Sequence, residues 1–209
     1  DYSFLIWGII ELYQLTFDPK YLHLASQFSD HIIEYFLDEN DGSLYFTSDY
    51  AEELLVRSKD SYDGAIPSGN SVSAYNFIRL SKLLSRTDYE DVALGILNRF
   101  SKRLNRSGMG HTMMMKAVDF LMGPNYEIII SGKERNANSD KLIKQINRIK
   151  KFNKVIIWVD EENKSSLKSI MPFIDYFPVD SKDPMVYVCQ NYSCQLPTTD
   201  INKIIKLIK

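Results

Sequence analysis

The amino-acid sequence predicts a mostly α-helical protein in which paired helices are followed by a small α/β unit. Apolar residues recur at helical spacing through the first 123 residues. After Gly123-Pro124, short apolar runs alternate with segments of helical periodicity. We therefore expect residues 1–123 to form helical hairpins and residues 124–209 to form a separate α/β unit.

The first pair of helices is predicted on both sides of Asp18-Pro19. From Asp1 to Thr16 apolar residues occupy nearly every face, which indicates a helix that is buried on most sides. Asp18-Pro19 then supplies an N-cap and a first-turn proline for a second helix, whose apolar positions continue to Phe36. Asp41-Gly42 predicts the turn that ends this pair.

A second pair of helices repeats this arrangement. Ser68-Gly69 opens one helix and Thr87-Asp88 is expected to cap the next. Tyr21 and Tyr89 occupy equivalent places, and each is followed four residues later by alanine. Such self-similarity suits helical hairpins that pack side by side. One further helix is expected around the methionine run that begins at Met113.

The last part of the chain alternates between strands and helices. Two strands are predicted at Tyr126–Ser131 and Val155–Val159, with a helix that begins at Ser139-Asp140 between them. Both strands are apolar throughout, which is typical of a parallel sheet covered on both faces. A third strand is expected at Met185–Val188, so we predict a three-stranded, mainly parallel sheet. A short helix at Ser165–Met171 and a last helix capped by Asp200 complete this unit.

Composition and charge exclude several classes of function. Twenty-five basic against twenty-seven acidic residues give a net charge of −2, which argues against a nucleic-acid-binding surface. No apolar run reaches the length of a membrane span. Two cysteines do not make a disulfide scaffold, so we expect a cytoplasmic protein. The chain begins at Asp1 inside a helical pattern, and we expect it to be a truncated piece without its targeting segment.

The segment from Arg57 to Ser71 carries the densest group of reactive side chains. Asp60 and Asp63 lie three residues apart and could act as acid and base in sugar chemistry if their environments separated their pKa values. Lys59, Ser68, Gly69 and Asn70 are candidate ligand-binding residues, since free N–H groups at a helix start can hold an anionic or hydroxylated ligand. The alternative is a solvated loop in which Asp63 forms a turn and Ser68 only caps a helix.

Aromatic residues near the start of the chain are further candidates for a sugar site. Tyr2 and Trp7 could line a cavity, because aromatic faces stack on carbohydrate rings. Ordinary core packing is the alternative, since the first helix is apolar on most sides.

The run Asp63–Val72 (DGAIPSGNSV) resembles a signature of the YyaL-like proteins, also called the spermatogenesis-associated thioredoxin-domain family. Three other stretches agree with it: DYSFLIWGIIELY, LLVRSKD and YVCQNYSCQLP. The resemblance implies an N-terminal thioredoxin-like domain, followed by a six-hairpin α/α toroid similar to those of N-acylglucosamine 2-epimerases and six-hairpin glycosidases. This chain would be the C-terminal part, with an incomplete toroid. The family's own reaction is not defined.

Cys189 and Cys194 are a second group of candidate functional residues. They could close into a disulfide, supply half of a metal site, act as a redox pair with the thioredoxin-like domain, or remain buried thiols. No third and fourth metal ligand is evident, so we predict no metal site. No cofactor motif is present either, and we predict no cofactor.

The sequence and the resemblance therefore suggest two alternative functions of different classes. The first is a carbohydrate-active toroid, epimerase-like or glycosidase-like, whose partners are a carbohydrate ligand and the remaining hairpins of the same chain. The second is a redox or protein-quality scaffold that works with the N-terminal thioredoxin-like domain. By itself the fragment is expected to be inactive, because a closed cavity needs the missing hairpins. It is also expected to associate, because an opened toroid exposes apolar faces.

Overall fold

In the computed structural model of the chain, residues 1–52, 54–190 and 193–208 are described. The helices are α1 (Tyr2–Thr16), α2 (Pro19–Phe36), α3 (Gly69–Leu84), α4 (Thr87–Arg106), α5 (Thr112–Met122), α6 (Ala137–Asn147), α7 (Lys164–Lys168) and α8 (Ile201–Leu207). Short 3₁₀ turns lie at Gly108–His111 and Pro172–Tyr176. The strands are β1 (Tyr126–Ser131), β2 (Lys154–Val159), β3 (Met185–Gln190) and β4 (Ser193–Cys194). The mostly α-helical class is confirmed.

Helix α3 is the centre of the helical region. It packs against α1, α4 and α5, while α1 also packs against α2. Every residue of α3 from Asn70 to Leu84 is buried, including polar side chains such as Asn76 and Arg79. The two predicted helix pairs are therefore present and lie side by side through α1 and α3.

Side-chain caps start several helices where the sequence predicts them. The Lys20 N–H donates to Asp18 Oδ1 at 3.0 Å, and the Ser71 N–H donates to Ser68 Oγ at 3.1 Å. The Asn202 N–H donates to Asp200 Oδ1 at 2.9 Å. Each bond satisfies one of the N–H groups that a helix start leaves unpaired.

Two predicted caps are wrong. Thr87-Asp88 does not cap α4, because the helix already begins at Thr87 and its N-cap is Arg86, which makes no side-chain cap bond. Ser139 does not begin α6 but completes a capping box with Asn136. The helix starts two residues earlier than Ser139, at Ala137, because Asn136 accepts the first N–H groups.

Within residues 1–52, 54–190 and 193–208, the sheet has four strands in the order β2-β1-β3-β4. Strand β1 pairs with β2 in parallel, as expected, but it pairs with β3 antiparallel, and β4 pairs antiparallel with β3. The prediction of three mainly parallel strands is therefore wrong in strand number and in the direction of β3. Burial along β3 is partial and uneven, which is typical of an antiparallel strand with one solvated face.

The outer edge of the sheet is covered by a side chain of the helical region. The Gln14 amide donates to the Ile156 carbonyl at 2.9 Å, and the Ile156 N–H donates to Gln14 Oε1 at 3.0 Å. An unpaired strand edge can pair with a strand of another chain. These two hydrogen bonds cover part of the β2 edge against such pairing, and they also attach α1 to the sheet. The predicted division at residue 123 remains a prediction.

Buried apolar residues of the helices and of the sheet form one core. Its largest fully buried side chains include Tyr13, Phe77, Phe100 and Trp158. Among the described residues, no helix combines the length and the apolar composition that a bilayer-spanning segment requires.

A glycine contact holds the loop after α2 against α4. Gly42 has a φ of +73°, and a Cβ at this position would lie 2.8 Å from the Cα of Gly95. Only a residue without a side chain fits both the positive φ and this approach.

We therefore expect Gly42→Ala to lower the free energy of unfolding by about 2–3 kcal/mol, from backbone strain and the clash with Gly95. Gly8→Ala is the matched control: Gly8 lies in α1, and a Cβ at this position would meet nothing within 4 Å beyond the backbone of its own helix. It should raise stability by up to about 1 kcal/mol. Urea denaturation of both variants measures the difference, and equal effects would contradict this account of the loop.

Candidate functional site

The candidate site is a groove of about 410 Å³ between the start of α1, the end of α2 and the segment that precedes α3. It brings together five of the predicted site residues, which are Tyr2, Asp60, Ser68, Gly69 and Asn70. The other lining residues are mainly apolar or aromatic and include Phe4, Phe36, Tyr45, Phe46 and Ile66.

Aromatic rings form part of the groove lining. Phe46 is 73% exposed and Phe4 is 37% exposed, so both present ring surface to solvent. The Tyr2 ring is half-buried and packs against the rings of Phe36 and His31, with centroids 5.8 and 4.7 Å away. These rings form a partly open apolar wall on which a flat ligand face can stack.

The groove also has polar groups in its lining. Asp60 is exposed, and its Oδ1 accepts the Tyr62 N–H at 3.0 Å. Its Oδ2 accepts no hydrogen bond from any described residue. In the part of the chain that the structure describes, the first-turn N–H groups of Gly69 and Asn70 have no hydrogen-bond acceptor. Asn70 is buried, whereas Gly69 and Asp60 are exposed, so the Gly69 N–H and the Asp60 carboxylate are available to a ligand.

Asn70 uses its side chain to hold the groove together. Its Oδ1 accepts the Leu44 N–H at 2.8 Å, and its Nδ2 donates to the carbonyls of Leu44 and Asp60, both at 2.9 Å. This pairing fixes the extended piece at Leu44 and the backbone of Asp60 against the start of α3. The Asn70 amide is thus saturated, and its part in binding is to shape the groove.

Asp63 is buried and serves a structural purpose. Its Oδ1 accepts the Ser68 N–H at 3.0 Å, and its Oδ2 accepts the N–H groups of Met113 and Met114 at 2.8 and 3.1 Å. The last two groups belong to the first turn of α5, whose own N-cap makes no side-chain bond. Asp63 therefore caps α5 from a distant loop, and it does not line the groove. The structure does not bring Asp60 and Asp63 together as an acid/base pair in this groove.

Lys59 also lies outside the groove lining. Its ammonium group pairs with Asp38 and with Asp41 Oδ1, the latter at 2.9 Å, and lies over the Tyr45 ring. The Lys59 ammonium, followed by the Tyr45 hydroxyl, holds the pKa of Asp38 well below its usual range. Lys59 therefore contacts the Tyr45 ring and two aspartates of the protein, and it does not contact a ligand in the groove.

Trp7 lies on another face of α1. Its Nε1 donates to Glu11 at 3.1 Å, and its ring packs edge-on against Tyr75. Of the two predicted aromatic ligand-binding residues, Tyr2 therefore lines the groove and Trp7 does not.

A larger cavity of about 830 Å³ lies between the α1–α2 turn and the end of β2. Most of its charged groups are bonded to the protein itself. Asp160 accepts the Trp158 Nε1–H at 2.7 Å, and Arg135 donates to Asp140 and to the Thr16 carbonyl at 2.8 Å each. The Glu162 carboxylate accepts no hydrogen bond from any described residue. The smaller groove is the better candidate for ligand binding, because it combines such a carboxylate, that of Asp60, with exposed aromatic rings.

The two cysteines form a disulfide at the far end of the sheet. Cys189 of β3 and Cys194 of β4 are directly opposite, with Cα atoms 3.9 Å apart. Cys189 is buried and Cys194 is exposed. Among the described residues, no cluster of three or more His, Cys, Asp or Glu side chains is arranged to hold a metal ion.

Sequence reasoning missed Glu127. It is directly opposite Cys189 in the β1–β3 ladder and lines the same cavity of about 610 Å³ as both cysteines. Its side chain is 7% exposed, and its Oε1 accepts no hydrogen bond from any described residue. Burial raises the pKa of Glu127 to about 7. The signal was present in the sequence as the one charged residue of the buried strand YEIIIS.

Comparison with known proteins identifies relatives of the whole chain, although no family model matches it. The chain is 30% identical over its full length to spermatogenesis-associated protein 20 of Homo sapiens, and the match covers 27% of that protein. The Rattus norvegicus protein of the same name is 31% identical, with 26% of its length covered. An uncharacterized Caenorhabditis elegans protein is 24% identical over 99% of the chain and 28% of its own length. The chain thus spans about a quarter of the curated relatives that it matches.

The two predicted catalytic aspartates should respond differently to substitution. Asp63→Asn removes a charge that accepts three backbone N–H groups, so we expect the free energy of unfolding to fall by about 2–4 kcal/mol. Asp60→Asn keeps the bond to the Tyr62 N–H and should change stability by less than about 0.5 kcal/mol. Urea denaturation compares them, and an unaffected Asp63→Asn variant would contradict the capping role.

Glu127 should make stability depend on pH. The carboxyl is neutral in both states below its unfolded pKa of 4.5 and is destabilised as an anion in the fold above about 7. Glu127→Gln should therefore add stability on the order of 3 kcal/mol at about pH 8 and little at about pH 4. Denaturation at both pH values measures this gain. Glu161→Gln, at an exposed position, is the control, and a gain that does not depend on pH would contradict the raised pKa.

Proposed function

We propose that this chain, whose matches support membership of the spermatogenesis-associated protein 20 family, forms the carbohydrate-binding end of a helical toroid in a larger protein. The chain is then the C-terminal part of that protein, preceded by further hairpins and by a thioredoxin-like domain. Its relatives are about four times as long, which leaves room for both. Two helix pairs side by side are the arrangement that such a ring would continue.

The observation that carries the proposal is the composition of the groove. The exposed rings of Phe4 and Phe46 line the same groove as Asp60, whose Oδ2 accepts no hydrogen bond from any described residue. Sugars have an apolar ring face and hydroxyl groups on the rim, so stacking together with carboxylate and N–H contacts suits them. The groove is held open by Asn70 and by the Asp63 cap, so it is pre-formed.

An epimerase-like or glycosidase-like reaction would need a second titratable group beside Asp60. Asp63 is occupied by its backbone bonds, so that second group would come from the hairpins that complete the ring. The isolated chain is accordingly expected to bind weakly and to show no turnover. We also propose that the protein is cytoplasmic, as its few cysteines predict.

A second candidate function is thiol–disulfide chemistry in a redox or protein-quality module. The observation that favours it is the disulfide of Cys189 and Cys194, which leaves Cys194 exposed on a short edge strand. In a reducing compartment such bonds are usually transient and catalytic rather than structural.

The carbohydrate proposal is tested by thermal denaturation of the full-length protein with a panel of monosaccharides, oligosaccharides and sugar phosphates. One sugar class should raise the melting temperature, and Asp60→Asn and Phe46→Ala should each reduce that shift by at least about half. Both positions are exposed, so the melting temperature without ligand should not change.

Asp200→Asn is the matched control, because Asp200 accepts a backbone N–H two residues on, as Asp60 does, but does not line the groove. It should keep the full sugar response. No shift with any sugar would overturn the carbohydrate proposal, and a shift that survives both groove variants would move the sugar site elsewhere.

A further inference from the structure

We propose that the Cys189–Cys194 bond is an exchange-active disulfide, that Cys194 is the sulfur attacked, and that Glu127 passes the proton to and from Cys189. The partner is a cysteine in an apolar polypeptide segment. This inference rests on the second candidate function above and adds to it the proton carrier, the direction of attack and the class of partner.

The three side chains lie in one row across the sheet. Glu127 of β1 is opposite Cys189 of β3, and Cys189 is opposite Cys194 of β4. Residues that are directly opposite in an antiparallel ladder project from the same face, with Cβ atoms about 4.5–5.5 Å apart. All three line one cavity of about 610 Å³. The carboxyl is therefore the ionisable group next to the buried sulfur.

The two sulfurs differ in access. Cys189 is 1% exposed, while Cys194 is exposed on the edge strand. An incoming thiolate reaches Cys194 far more easily, so Cys189 is the leaving sulfur. A thiolate in a buried, largely apolar place is poorly stabilised, and its release therefore needs a proton donor at hand.

Glu127 is suited to supply that proton. Its Oε1 is buried and accepts no hydrogen bond from any described residue. Burial holds its pKa at about 7, so both the acid and the carboxylate are populated near neutral pH. Efficient acid–base groups have pKa values near the working pH.

The step balances without an added oxidant. The partner thiolate attacks Cys194 Sγ, the bond between the two cysteine sulfurs breaks, and a mixed disulfide forms at Cys194. The electron pair of the broken bond stays on Cys189, which takes the proton from Glu127 and becomes a thiol. In the reverse step the Glu127 carboxylate removes that proton, and the Cys189 thiolate attacks Cys194 Sγ of the mixed disulfide and releases the partner thiolate.

Other charged groups near Glu127 modify this titration. Lys82 of α3 lowers the pKa of Glu127, and Glu90 of α4 raises it, although both effects are smaller than that of burial. Lys82 and Glu90 are paired with each other at 2.8 Å. Tyr176 and Tyr187 also line the cavity.

The lining of the cavity selects the partner. It includes Phe173, Phe177 and Tyr187, and its rim carries Tyr176 and Leu196, which are 84% and 89% exposed. No lysine, arginine or histidine occurs among its described lining residues. A charged small thiol such as glutathione finds no cation there, whereas a cysteine flanked by apolar residues buries apolar surface on binding.

The test follows the reaction of the oxidised full-length protein with a peptide thiol, acetyl-Leu-Cys-Phe-amide. Aliquots are quenched in acid, free thiols are blocked, and the mixed disulfide at Cys194 is measured by peptide mass spectrometry. The rate is divided by the concentration of probe thiolate, so that the ionisation of the probe does not enter.

For the unchanged protein we expect this rate to fall as pH rises through about 7, because Glu127 loses its proton. Glu127→Gln should be slower by at least about tenfold near pH 6 and should show no such fall. Glu161→Gln, an exposed carboxyl in the same part of the chain, should behave like the unchanged protein. Glutathione should react at least about fivefold more slowly than the peptide, and Tyr176→Ala should narrow that difference.

The outcomes separate the parts of the proposal. Failure of the unchanged protein to form a mixed disulfide at either cysteine would overturn the exchange function itself. Exchange with the same pH profile in Glu127→Gln would leave that function standing and overturn the role of Glu127. A mixed disulfide at Cys189 would overturn the proposal that Cys194 is the sulfur attacked. Equal rates for the peptide and for glutathione would overturn the proposal that the partner is apolar.

Discussion

The buried Asp63 carboxylate is the interaction on which the shape of the candidate site depends. A carboxylate inside a protein must be surrounded by donors, and here three backbone N–H groups surround it. One belongs to Ser68 at the start of α3, and two belong to Met113 and Met114 at the start of α5. Because both helices begin at this one side chain, the segment between Asp60 and Ser68 has a fixed path, and that path forms one wall of the groove.

This arrangement separates residues that shape the groove from residues that face it. Asn70 and Lys59 have their polar atoms satisfied within the protein, so substituting them would alter binding through structure alone. By contrast, the Phe4 and Phe46 rings have exposed surface, and Asp60 Oδ2 accepts no hydrogen bond from any described residue. In this segment, most of the Asp, Ser and Asn side chains therefore stabilise helix ends or neighbouring backbone. Asp60 is the acidic side chain that is available to a ligand.

Much of the fold was predictable because it is encoded locally. Helical periodicity and the caps at Asp18, Ser68 and Asp200 are short-range signals, and the structure confirms them. The direction of β3 was not predictable, since it depends on pairing with a strand more than fifty residues earlier. The role of Asp63 was hidden for the same reason: its partners Met113 and Met114 lie fifty residues away. Glu127, by contrast, was visible as a lone charge in an apolar strand.

The two candidate sites lie at opposite ends of the same buried helix. The start of α3 borders the groove through Gly69 and Asn70, and its C-cap, Ser85, lines the disulfide cavity. Sixteen helical residues at about 1.5 Å each separate the sites by about 24 Å. A ligand in one site therefore cannot react with groups of the other, and α3 is packed on all sides, which leaves it little freedom to move between them. The carbohydrate and exchange proposals are for this reason physically independent: loss of either activity by a local substitution leaves the geometry of the other site in place.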